Sequence, residues 1–179
     1  MLTKLRRLQG EALPLLEGSA QKLYPGASWG LALLALVLQV YLPLYVEVIG
    51  LLDLPLLVLV YLALLRRNVV MGLLAGAAIG LAQDGLTHGP VGLFGIIDTI
   101  IGYLAASVSQ FIEVEYPGAR SVLAGLFFLI HQALFWIVQA MLLGNAVVFD
   151  IPRALVLAAV HTGLALMMYR LFDRLKQAR

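Results

Sequence analysis

From Arg66 to Ile100 the chain reads RRNVVMGLLAGAAIGLAQDGLTHGPVGLFGIIDTI. Two arginines open the stretch, and after Asn68 the next polar side chain is Gln83. Within that apolar run Gly72, Gly76 and Gly80 recur every fourth residue, which puts them on one face of a helix. Ala75 and Ala78 keep the neighbouring positions small. Without Cβ atoms a second backbone can come close, and in lipid such packing drives helix association. Two uses stay open: packing inside the protein's own bundle, or a face for the transmembrane helix of a partner. Taken as residues 68–83, the helix rises only ~24 Å against a hydrocarbon core of ~30 Å. Its end, with Asp84, is therefore expected near or below the headgroups. Asp84, His88, Gly89 and Pro90 form the turn before the apolar character resumes at Val91. Asp84 has three candidate roles there: capping the next helix, pairing with a partner's basic side chain, or holding its own turn.

The rest of the chain has the same character. Of 179 residues 62% are hydrophobic and 12% charged, and the mean hydropathy is +0.97. A soluble domain carries about 25% charged residues, so the composition predicts an all-α integral membrane protein. The chain has no cysteine, which excludes disulfides and thiolate chemistry. Apolar runs predict six spans in one bundle, at about 29–46, 51–65, 68–83, 91–111, 121–143 and 152–172. Spans two and three are short, so a five-span alternative makes 51–83 a hairpin that does not fully cross. Pro55 marks the start of span two. Residues 1–27 read either as a cytoplasmic amphipathic segment on the membrane surface, interrupted by Pro14, or as an unstructured leader; 28–173 are expected to form the bundle and 174–179 a tail. Gln9, Glu11 and Glu17 break the apolar run that a secretory signal would need. With both termini in the cytoplasm, the inside segments hold Lys4, Arg6, Arg7, Lys22, Arg66, Arg67, Arg120, Arg170, Arg174, Lys176 and Arg179. The outside segments hold only Arg153. That asymmetry is what the positive-inside rule describes.

Tyr24, Trp29, Tyr41, Tyr45, Tyr103, Tyr116 and Tyr169 lie mostly toward span ends, as an interfacial belt does. Glu47 and Asp53 flank a turn and need no special role, and Glu113, Glu115 and Arg120 read as a solvated loop. Asp98, His131, Gln132 and His161 stand inside apolar spans, where polar groups are expensive. Asp98 with His131 or His161 predicts an intramembrane polar cluster. It serves either as a packing network or as a proton relay or substrate site. No metal is expected, since the histidines lack HxxxH or HExxH spacing. No nucleophile and base, no paired carboxylates and no phosphate loop stand out, so neither an enzyme nor a cofactor is expected. No basic patch supports nucleic-acid binding.

The stretch Asp53 to Ser109 resembles the rod shape-determining protein MreD family. The carriers are the basic break Arg66-Arg67, the glycine helix Gly72 to Gly80, Asp84, the His88-Gly89 turn, the restart Pro90-Val91-Gly92-Leu93 and the pair Gly102-Tyr103. The segment Gln39 to Pro43 also fits that family's first span. One departure is the order Asp53-Leu54-Pro55, where the family often has Pro-Asp-Leu. The resemblance implies a non-enzymatic scaffold of the bacterial cell-wall elongation complex in the inner membrane. It would bind MreC through that protein's transmembrane helix and periplasmic part. It would help couple MreB filaments to the polymerase RodA and its transpeptidase partner. The family is similar in fold to the substrate-binding subunits of energy-coupling-factor vitamin transporters. The alternative function is accordingly a small-molecule-binding membrane subunit.

Overall fold

The computed structural model describes residues 25–45, 50–87, 90–112, 114, 116–142, 144 and 150–175. The predicted amphipathic segment lies almost wholly outside the described residues, as do Glu47, His88, Gly89, Glu113, Glu115 and residues 176–179. Among the described residues six α-helices carry the fold: α1 (Pro25–Tyr41), α2 (Leu54–Arg66), α3 (Val69–Thr87), α4 (Leu93–Phe111), α5 (Pro117–Leu142) and α6 (Ile151–Phe172). No strand occurs among the described residues. The helices alternate in direction. The starts of α2, α4 and α6 share one end of the bundle, here called upper, with the finishes of α1, α3 and α5.

Four helices, α3 to α6, are long and apolar enough to cross a membrane. The two others are shorter, and α2 is the predicted span two, already short in the sequence. It holds 13 residues and rises ~20 Å. Every residue from Leu54 to Leu65 is buried, so α2 is apolar all round because protein surrounds it. It is the central post of the fold, contacted by the five other helices. Asp53 starts it by accepting the Leu56 N–H at 3.1 Å, with Pro55 in the first turn. Arg67 ends it in the left-handed region, at φ 50°.

The helix α3 runs four residues beyond the predicted span, to Thr87. Asp84 therefore stands in its last turn, 2% exposed, rather than in the loop after it. Along its length α3 packs antiparallel on α4. A Cβ on Gly72 would strike the Gly102 carbonyl, one on Gly76 the Asp98 carbonyl, and one on Gly80 the Phe94 carbonyl. Each four-residue step along α3 meets a four-residue step back along α4, so the two backbones lie in contact. The glycine stripe is consumed inside the bundle, and no surface of it is left for a partner helix. A second close approach, not foreseen, joins α5 to α6, where a Cβ on Gly125 would meet the Thr162 hydroxyl.

The lower end is tied by a buried ion pair. Arg120, in the first turn of α5, is 1% exposed and forms a two-pronged bridge to Asp173, with Nη1 donating to Oδ1 at 2.8 Å. The Tyr61 hydroxyl of α2 donates to the same Oδ1 at 2.9 Å. The arginine also lies over the Tyr61 ring. The expectation that Arg120 belongs to a solvated loop is thus overturned: the guanidinium is held by a carboxylate from the end of α6. Tyr169, expected in an interfacial belt, is fully buried, and its hydroxyl donates to the Leu57 carbonyl at 2.9 Å. Outward-facing residues such as Leu33, Val70, Leu74, Val122, Val156 and Met167 are more than half exposed, giving the bundle an apolar surface.

Candidate functional site

Three helices begin at the upper end, and an aspartate holds each start. Asp53 caps α2, and Asp150 caps α6 by accepting the Arg153 N–H at 3.1 Å. Asp84 does the same for α4 from the neighbouring helix. Its Oδ2 accepts the N–H groups of Gly92 at 2.9 Å and Gly95 at 3.0 Å, and its Oδ1 that of Phe94 at 2.9 Å. The first N–H groups of a helix have no partner within it, and its dipole favours a negative charge there. Among the roles open to Asp84, capping of the next helix is the one the geometry gives. Pro90, from the same predicted turn, is exposed, and its carbonyl accepts the Leu93 N–H at 3.2 Å.

Between these helix starts lies the polar cluster. Asp98, on α4, is fully buried, and His131, on α5, is 3% exposed. His131 Nε2 stands 3.4 Å from Asp98 Oδ1 and 3.6 Å from Asp53 Oδ2, so one ring nitrogen faces both carboxylates. The Phe94 ring stacks on it at 6.0 Å. His161, on α6, is one step removed. Its Nδ1 lies 2.8 Å from the Leu157 carbonyl, and its Nε2 accepts the Asp53 N–H at 3.0 Å. An acceptor at Nε2 and a donor at Nδ1 define the neutral imidazole with its proton on Nδ1. His161 also stacks on Phe128. The Leu54 N–H goes to Gln39 Oε1 at 3.0 Å. The start of α2 is therefore bonded from α1, from α6 and from its own cap.

Of the predicted cluster, Asp98 and His131 come together, and His161 reaches them through Asp53. Gln132 lines the cavity above them. Sequence reasoning missed Asp53, treated as a turn residue, and it missed Gln39 and Gln83. The signal for Asp53 was present: an aspartate immediately before Leu-Pro and an apolar run is a helix-start signature. Among the described residues no three acidic or histidine side chains converge in a manner that could hold a metal ion.

Asp53, Gln83 and His131 form the floor of a cavity of about 380 Å³ at the upper end, with Asp98 behind His131. Phe94, Phe128, Phe135 and Trp136 wall it, and Asp150 and Arg153 stand on its rim. The floor is not saturated with hydrogen bonds. Among the described residues Gln83 Oε1 and His131 Nδ1 are buried without one, and the Asp98 carboxylate behind them has only the 3.4 Å approach of His131 Nε2. Buried polar groups of this kind are uncommon, and each calls for an explanation. The arrangement can bind a polar group, or move a proton between Asp98 and Asp53 by way of His131. No family model, no curated protein and no solved structure matches the chain.

Proposed function

We propose that this protein is a non-enzymatic membrane scaffold of the rod shape-determining MreD type. In this reading it binds MreC and helps couple MreB filaments to peptidoglycan synthesis by RodA and its transpeptidase partner. The observation that carries the reading is that the residues of the resemblance coincide with one structural unit. The stretch Asp53 to Ser109 is α2 with the α3–α4 hairpin. Gly72, Gly76 and Gly80 are the residues that let α3 touch α4, Gly102 receives them, and Asp84 holds the start of α4. The likeness therefore rests on residues with a defined mechanical part, beyond shared apolar composition.

Two further observations support an inner-membrane location with the lower end in the cytoplasm. The outward faces of the long helices are apolar, as a surface in contact with hydrocarbon must be. The described basic residues Arg66, Arg67, Arg120, Arg170 and Arg174 lie at the lower end and Arg153 at the upper. With the glycine stripe enclosed, the transmembrane helix of MreC docks on another face of the bundle. The periplasmic part of MreC meets the upper end.

Depletion of the protein in its own host tests the function. Cells are expected to lose rod shape and become round, with less incorporation of labelled wall precursor along the side wall. Unchanged shape and unchanged lateral incorporation after full depletion would contradict the proposal.

A further inference from the structure

The cavity at the upper end has no part in the scaffold reading and does not depend on it. Its floor carries Gln83 and His131, both 3% exposed, and among the described residues Gln83 Oε1 and His131 Nδ1 have no hydrogen-bond partner. Three carboxylates face or flank it: Asp53, Asp150 and, behind His131, Asp98. Against them stand Arg153 and, at most, one proton on the imidazole. With all three carboxylates ionised, the site as a whole is therefore at least one charge negative. Asp53 and Asp150 each commit one oxygen to a helix start. Asp98 caps nothing, and its fully buried carboxylate faces His131 Nε2 at 3.4 Å. The walls are aromatic, and aromatic faces attract cations. A volume of about 380 Å³ falls in the lower part of the roughly 300–1,000 Å³ range of small-molecule sites.

We infer that this cavity binds a small organic cation, a protonated amine on an apolar or aromatic body. Its N–H groups would donate to Gln83 Oε1 and toward the Asp53–His131–Asp98 floor, with its body between Phe94, Phe135 and Trp136. A neutral molecule would leave the negative charge uncompensated, and an anion would be repelled by it.

Trp136 supplies a local reporter. The chain has two tryptophans, and the other, Trp29, is exposed on α1 well away from the cavity. The full-length Trp29→Phe protein in phosphatidylcholine nanodiscs is titrated with benzylammonium, benzyl alcohol and benzoate, reading Trp136 fluorescence. Benzylammonium is expected to give a saturable change. Benzyl alcohol should bind about tenfold more weakly or worse, and benzoate not measurably. Gln83→Leu and Asp98→Asn should each weaken benzylammonium about tenfold or more, since each removes a charge-assisted or buried contact. Arg153→Gln, which deletes a rim cation, should tighten it. If Asp98→Asn does not fold, Gln83→Leu and Arg153→Gln carry the test. The inference is overturned by a Trp136 signal that benzylammonium leaves unchanged, or by benzyl alcohol or benzoate binding as tightly. It is equally overturned if the folded floor variants bind benzylammonium as well as the parent does.

Discussion

A single side chain, Asp84, joins the end of α3 to the start of α4. Its carboxylate sits in the last turn of α3 and accepts three N–H groups from the start of α4. Asp84→Asn keeps an acceptor but loses the charge that the α4 dipole favours, and should lower stability by about 1–2 kcal/mol. Asp84→Ala orphans buried donors and should cost more than about 2 kcal/mol. A detergent-solubilised thermal melt followed by size exclusion checks both, and equal melting of parent and Asp84→Ala would refute the capping role. At this scale the sequence was informative where a polar residue interrupts an apolar run. Asp98, His131 and His161 stand out for that reason. It was uninformative at span ends, where charged residues are ordinary. Asp53 and Arg120 look like turn and loop residues, yet one is the hub of the upper cluster and the other a buried ion-pair partner. Nothing local distinguishes an arginine that meets solvent from one that meets an aspartate 53 residues away.

Among the elements, the α3–α4 hairpin is set by its glycines. A Cβ on Gly76 would fall on the Asp98 carbonyl, a backbone atom that cannot rotate away. Gly76→Ala should therefore destabilise by at least about 2 kcal/mol, and Gly76→Leu should abolish recovery of folded protein. Gly85, on the same helix, has nothing within 4 Å of the position a Cβ would take. Gly85→Ala should be neutral or stabilising by about 0.5–1 kcal/mol. Folded yield of the three variants, read by fluorescence-detected size exclusion, separates the enclosed stripe from an exposed one. Wild-type yield for Gly76→Leu would mean that the glycines face outward. The stripe itself was legible, because a spacing of four residues survives in any helix. The partner of the stripe was not, because an intramolecular helix and a foreign one need the same small residues. Nor could α2 be told from a lipid-facing span. A helix apolar all round suits a protein interior and a bilayer equally, and its short length was the only hint.

The described residues form a post, α2, contacted by five helices and closed at each end by polar contacts. At the lower end Arg120, Asp173 and Tyr61 tie α5, α6 and α2 together. Breaking a buried pair by removing one partner leaves the other charge uncompensated. Arg120→Ala should therefore cost about 3–5 kcal/mol, while the double variant Arg120→Met with Asp173→Leu should recover much of that loss. A thermal melt of the single and double variants checks this, and equal losses in both would show that the pair's charge balance is irrelevant. The apolar surface, the enclosed glycines and the basic lower end together motivate the scaffold proposal, in which a partner's helix lies on the outside of the bundle. Copurification tests that claim most directly. The chain would be co-expressed with the MreC-like protein of its own organism, extracted into nanodiscs and run by size exclusion. The account expects a stable stoichiometric complex that survives Gly85→Ala and is lost when the transmembrane helix of the MreC-like protein is replaced. Well-folded protein that elutes without the MreC-like protein would contradict it.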